Sequence, residues 1–212
     1  HNIELNSKDT NGQSGFHMAC QYGQVELAQV IINNSTQINI DFNDKNIEGQ
    51  TAFHLACSAG NSRVVESLLM SSYEQEIDFD MDAQDLHGQT ALHLACSYGH
   101  SKIVEVLIKN YNECEKRYFE HYINVGYYCD FNVKDNLGQT AFYHACFNGH
   151  KDIVEMLLSR SEDLKLDLEN PEGGTSNFAQ WVSTVCKNYD LYKDLYLNSL
   201  DNLEVIEVLS TT

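Results

Sequence analysis

Positive charge is what this sequence has least of. Its 212 residues carry 13 Lys and Arg against 31 Asp and Glu, a formal net charge of −18. Phosphate backbones are bound by neutralising them with basic side chains, so this balance argues against a nucleic-acid partner. A protein with a basic or mixed basic and apolar surface is the natural complement. No apolar run approaches the roughly 20 residues of a membrane-spanning helix, and no secretory leader is recognisable at the N-terminus. The expected setting is intracellular, cytoplasmic or nuclear, without membrane insertion. Neither G-x-x-x-x-G-K-S/T nor G-x-G-x-x-G occurs, so the recurring Gly-Gln-Thr triplets are not phosphate loops, and no cofactor is expected.

What the chain does have is one unit written several times. In Asp85–Asn110, Asp85-Leu86-His87-Gly88 is a turn signal. Thr90 starts a short helix with Ala91, Leu92, Leu94 and Ala95 on a compact apolar face. Gly99 ends that helix, and a second follows in which Ile103, Val104, Leu107 and Ile108 share one side. Two helices this short are marginal alone and need neighbours of their own kind. Those neighbours are present: GQSGFHMACQYG (12–23), GQTAFHLACSAG (49–60) and GQTAFYHACFNG (138–149) match GQTALHLACSYG (88–99). Each is followed by a Val/Ile/Leu-rich helix expected to end near Ile32, Leu69, Ile108 and Leu158.

The T-x-L-H-x-A core, the glycine eleven residues after the first, and V-x-x-L-L in the second helix resemble the ankyrin-repeat family over about residues 4–170. Alanine stands at the family's proline in Ala52, Ala91 and Ala141; Ser14-Gly15 replace Thr-Pro; and Tyr143-His144 shift the histidine by one. The resemblance implies an all-α solenoid of stacked helix-turn-helix units joined by hairpin-like turns. One elongated domain is expected over 1–212, with repeats at about 5–36, 43–72, 82–110 and 132–160. A degenerate cap would follow at 166–212, where Trp181, Val182 and Val185 face the fourth repeat.

First glycines lie 37, 39 and 50 residues apart (Gly12, Gly49, Gly88, Gly138), against a family norm of about 33. The excess falls between the second helix of one unit and the turn of the next. The largest insertion, 111–130, holds six aromatics. Residues 112–122 can prolong the second helix of the third repeat. Its aromatics either fold back onto the stack or, as Tyr118, Phe119, Tyr122, Tyr127 and Tyr128, dock a partner.

Three patterns invite a chemical reading, and each has a structural one. His17, His54 and His93 each stand three residues before a cysteine, but the pairs recur once per unit and do not converge as zinc ligands would. The family uses this histidine for hydrogen bonds in the turn region. Cys20, Cys57, Cys96 and Cys146 lack a basic neighbour to activate them and read as small buried thiols of a reduced compartment, without disulfides. No catalytic residue and no metal site is expected.

The resemblance implies a non-catalytic protein–protein interaction module whose concave face, built from turn tips and first helices, binds another protein. Carried over by position, the candidate contact residues are Tyr22 in the first repeat, Ile47 and Glu48 in the second, Leu86, His87 and Tyr98 in the third, and Asn136, Leu137, Phe147 and Asn148 in the fourth. Gln13, Gln50, Gln89 and Gln139, after the first glycines, fall in the same exposed class. Two narrower readings are an inhibitor that sequesters Rel-type transcription factors, from the acidity and irregular repeats, and the ankyrin part of a larger channel, kinase or ubiquitin ligase. Asn6, Asn43 and Asn132 occupy the position at which ankyrin asparagines are hydroxylated.

Overall fold

The computed structural model describes residues 7–35, 40–75, 77, 79–121 and 129–167. Among them the chain is all-helical, with eight helices in four pairs. The first helix of each pair has seven residues: α1 (Gly15–Gln21), α3 (Ala52–Ser58), α5 (Ala91–Ser97) and α7 (Ala141–Phe147). The second helices are α2 (Val25–Asn33), α4 (Ser62–Gln75), α6 (Ser101–His121) and α8 (Lys151–Leu158). First helices pack on first helices and second on second, in chain order. The result is two layers with the core between them.

A seven-residue helix cannot sustain itself, so its ends are fixed by side chains. Ser14, Thr51 and Thr90 take the N-cap of α1, α3 and α5 in extended conformation, and the histidine at the third helical position closes a reciprocal box with each. Eight glycines, two per unit, all have φ between 69° and 77°, in the left-handed region that ends the tip turn and the first helix. Behind them the small Ala19/Cys20, Ala56/Cys57, Ala95/Cys96 and Ala145/Cys146 pairs are buried to within 1% and let first helices approach closely. The four cysteines are buried and free, as are Cys114 and Cys129. Burial pushes the Cys20 thiol up to about 12 and those of Cys57 and Cys96 up as well, so they stay protonated.

The second-helix faces read from sequence are buried, Ile103, Val104 and Leu107 completely. One outer helix runs past its expected end, and another takes up the extension expected for it. Helix α4 continues to Gln75 rather than stopping near Leu69. Ser71 and Ser72 interrupt the apolar period, yet they are buried because their hydroxyls donate back to the Ser67 and Leu69 carbonyls (2.9 and 2.7 Å). Helix α6 takes up the first half of the insertion and reaches His121. Tyr111 folds back, edge-on to Phe131 at 5.9 Å. The side chains of Tyr118 and Phe119, and Tyr122, Tyr127 and Tyr128, lie outside the described residues, as do Asn6 and the cap from 168 onward with Trp181, Val182 and Val185.

Candidate partner-binding surface

Each repeat begins with a tip closed by one acidic or amide side chain. Asp9, Asn46, Asp85 and Asp135 each accept two backbone N–H groups at 2.8–3.0 Å, from the residues two and four positions on. Their own N–H donates to the carbonyl of Gln13, Gln50, Gln89 or Gln139 at 2.9 Å. With both backbone groups used for closure, these four glutamines are half-buried. Their main chains close the tips, and their side chains are partly rather than fully exposed.

The tips form a ladder. The Ile47 N–H donates to Asn11 O, Leu86 to Glu48 O and Asn136 to His87 O, each at 3.0 Å. The second and third tip residues spend their main chains on the neighbouring rung, which leaves their side chains at the outer edge of the stack, where the Asn136 amide also donates to Leu86 O at 3.0 Å. Ile47, Glu48, Leu86, His87, Asn136 and Leu137 are all exposed, Leu137 by 75%.

A second row runs along the C-terminal ends of the first helices. In the second, third and fourth repeats the residue after the second glycine reaches back one repeat. Asn61 donates to the Cys20 and Gln21 carbonyls (2.9 and 2.8 Å), and His100 and His150 contact Ser58 O and Ser97 O at 2.9 Å each. Sequence reasoning missed this role, although a polar side chain after the second glycine in every repeat was a signal. In front of these links Tyr22, Tyr98, Phe147 and Asn148 are exposed. Phe147 stacks on Tyr143 at 6.1 Å, and the Asn148 amide donates to His144 O at 2.9 Å.

The capping histidines hold the rows in register. In His54 and His93, Nδ1 accepts from the N-cap threonine amide and hydroxyl at 2.8–3.2 Å. The proton therefore sits on Nε2, which donates to the tip of the next repeat at Gln89 O and Gln139 O, both 3.0 Å. His17 does the same from Ser14 to Asp44 O at 3.1 Å. Burial holds all three rings below their ordinary pKa, His93 down to about 4, so they are neutral near pH 7. In the fourth repeat Tyr143 replaces the boxed histidine. His144 instead contacts Asp135 Oδ2 and, across the junction, the Ser97 hydroxyl, both at 2.9 Å. Burial alone would raise the Asp135 carboxyl, but the Gln139 and Leu137 amides and His144 together hold it below the usual carboxylate range.

Behind the tips, Asn43 accepts the Asp80 N–H, Asp82 the Asp130 N–H and Asn132 the Asp167 N–H at 2.6–2.9 Å. Asp82 is the carboxylate in this series. Desolvation, with Asp130 and Asp80 nearby, raises it to about 6.

Helix pairs of this pattern, each opening on a ladder-forming tip and closing on a glycine, decide the family together with one comparison. The family model for ankyrin repeats, in three copies, matches residues 1–80 and 75–170. The chain belongs to the ankyrin-repeat family. Ankyrin repeats are generally protein–protein interaction modules and typically non-catalytic. Among curated proteins no match to this ankyrin chain is found. Among its described residues no helix is long and apolar enough to cross a membrane, and no group of three or more His, Cys, Asp and Glu could hold a metal ion.

Proposed function

We propose that this chain binds a partner protein, without chemistry of its own, on the surface that carries the tip row and the ends of the first helices. One observation supports this reading most. Tyr22, Ile47, Leu86, Tyr98, Leu137 and Phe147 are all at least half exposed, along two rows whose order the backbone ladder and the histidine links fix. Folding gives no reason to leave these six side chains in water, whereas a partner covering them would bury each. Glu48, His87, Asn136 and Asn148 surround them with polar groups able to set register, as in an interface rim.

Tyr98 and Phe147 are the anchors, each contributing about 2 kcal/mol or more on truncation, as aromatic hot spots do. The deficit of positive charge selects a partner with a basic or mixed basic and apolar face. The buried free cysteines suit an intracellular setting. In the test, the immobilised chain is compared with its Tyr98→Ala/Phe147→Ala variant for partners captured from cell extract and identified by mass spectrometry. The expected result is a partner lost from the variant with the melting temperature almost unchanged. Undiminished capture by the variant would sink the assignment.

A further inference from the structure

The position after the repeated cysteine holds Gln21, Ser58, Ser97 and Phe147. Ser58 and Ser97 therefore end α3 and α5 in the same way, and both are half-buried. Their hydroxyls go different ways. Ser58 Oγ donates to Leu55 O of its own helix at 3.1 Å, as a helical serine does when nothing better is in reach. Ser97 is drawn across the junction instead, to His144 Nδ1 at 2.9 Å. One repeat earlier the place of His144 is taken by Leu94, whose side chain offers no acceptor.

The other ring nitrogen is committed. His144 Nε2 meets Asp135 Oδ2 at 2.9 Å, and that carboxylate, only 3% exposed, is fixed through Oδ1 by the Leu137 and Gln139 N–H groups, each at 2.9 Å. Asp135 is held below the usual carboxylate range and stays ionised. It therefore accepts, and the single proton of the neutral ring belongs on Nε2. Nδ1 is left as a base, with the Ser97 hydroxyl as its donor. Contacts with His93 at 5.4 Å and Tyr143 at 6.2 Å, both edge-on, keep the ring in that orientation. Nucleophile, base and orienting carboxylate are thus joined in one chain. Compared with serine hydrolases the two ring nitrogens are exchanged, which leaves the proton relay intact because each nitrogen still has the role its partner requires.

We propose that Ser97 is an acylation site, taking an acyl group from a thioester or other activated ester that reaches the surface beside Tyr98. Ser97 Oγ bonds to the acyl carbon as its proton passes to His144 Nδ1. The bond to the thiolate or alkoxide leaving group then breaks, and the proton departs with that group. Asp135 is the positioning residue that keeps Nδ1 unprotonated. The product is a Ser97 ester, and the reaction stops there. The Tyr98 and His100 N–H groups beside it are spent on Leu94 O and Ala95 O, so these donors build no oxyanion hole to drive hydrolysis. A single modification of this kind lies beyond partner binding and requires no turnover.

The probe is p-nitrophenyl acetate, and Ser58 is the internal control. The 212-residue chain is acetylated for increasing times, and the ester at each serine is measured by peptide mass spectrometry. Ser97 is expected to react at least about 100-fold faster than Ser58, the lower end of general-base assistance. Asp135→Asn isolates the relay, because Asn46 closes the second tip through the same two bonds, from the Glu48 and Gln50 N–H groups. The new amide donates to His144 Nε2, moves the ring proton to Nδ1 and brings Ser97 down to the Ser58 rate, while the nitrogen NMR signals of the ring exchange character. Equal labelling of Ser97 and Ser58 in the parent chain overturns the proposal, and this arm needs no variant. So does undiminished labelling in Asp135→Asn, or a ring whose nitrogen signals do not exchange, since Asp135 would then not set the tautomer.

Discussion

The junction between the second and third repeats and the junction between the third and fourth share three links and differ in others. Both have a tip rung, Leu86 N–H to Glu48 O and Asn136 N–H to His87 O. Both have a forward histidine, His54 to Gln89 O and His93 to Gln139 O, and a backward one, His100 to Ser58 O and His150 to Ser97 O. The second junction adds Asn136 Nδ2 to Leu86 O (3.0 Å) and the Ser97–His144–Asp135 chain. The shared links all end on main-chain carbonyls, so any sequence on the neighbouring repeat can receive them, and the surface in front can vary without loosening the stack. The added chain ends on side chains. It crosses the junction at the Ser97 hydroxyl and ends on the Asp135 carboxylate within the fourth repeat, which gives it a different response to acid.

The sharpest way to break the comparison is at the tip. A Cβ at Gly88 would lie 2.6 Å from the Asn136 amide nitrogen, at φ +75°. Gly88→Ala therefore combines left-handed strain with a clash against main chain and should cost about 3 kcal/mol or more. Gly12→Ala carries the same strain with its nearest contact at 3.1 Å, and should cost less. Urea unfolding of the two variants measures the difference, and equal losses would mean that tip rungs contribute little.

Next come the histidines. His93→Ala removes a ring only 1% exposed, leaves the Thr90 amide without its acceptor and reduces the Gln139 carbonyl to its bond from the Asp135 N–H, for an expected loss of about 3 kcal/mol. His144→Ala, at a ring whose Asp135 partner keeps two backbone donors, should lose about 1 to 2 kcal/mol. A larger loss at His144 would reverse the order of importance of the forward and added links.

The smallest effects belong to the outer surface. Leu137→Ala and Tyr98→Ala should shift stability by less than about 0.5 kcal/mol, as exposed positions do. Phe147→Ala should cost about 0.5 to 1 kcal/mol, because its ring stacks on Tyr143. Chemical unfolding curves check all three; a loss near 2 kcal/mol would recast the residue as part of the stack.

Much of this was legible because the repeat wrote each structural position four times. A glycine, a capping Thr or Ser, an Ala-Cys pair and a V-x-x-L-L stripe announced tip, helix start, close packing and outer face. Positions that depart from the pattern were harder. The shift from histidine to Tyr143-His144 was visible, but not that the displaced ring would reach Ser97 and Asp135, since that needs the packing distance across the junction. The extension of α4 through Ser71 and Ser72 was illegible, because polar side chains that bond their own helix look like a helix end. Exposure of six of the ten candidate contact residues followed from the tip geometry, and that of Tyr22, Tyr98, Phe147 and Asn148 from their place at the ends of the first helices. What touches them is a property of a second molecule.

Acid separates the two kinds of link most directly. His93 has a folded pKa of about 4 against about 6.5 when unfolded. Its contribution is fully present above the unfolded value and is lost as pH falls from 6.5 to 4, amounting to about 3 kcal/mol. His17 and His54, also lowered, act in the same direction. Asp82, raised to about 6, acts oppositely and stabilises the fold as pH falls from 6 toward 3.8. The Asp135 carboxylate, held low, keeps its contribution through this window. Urea unfolding of the parent chain and of His93→Gln from pH 7.5 to 4.5 cancels every term but one. The forward-link account predicts a stability difference that shrinks steadily toward zero as pH falls, while a difference constant across the range would contradict it.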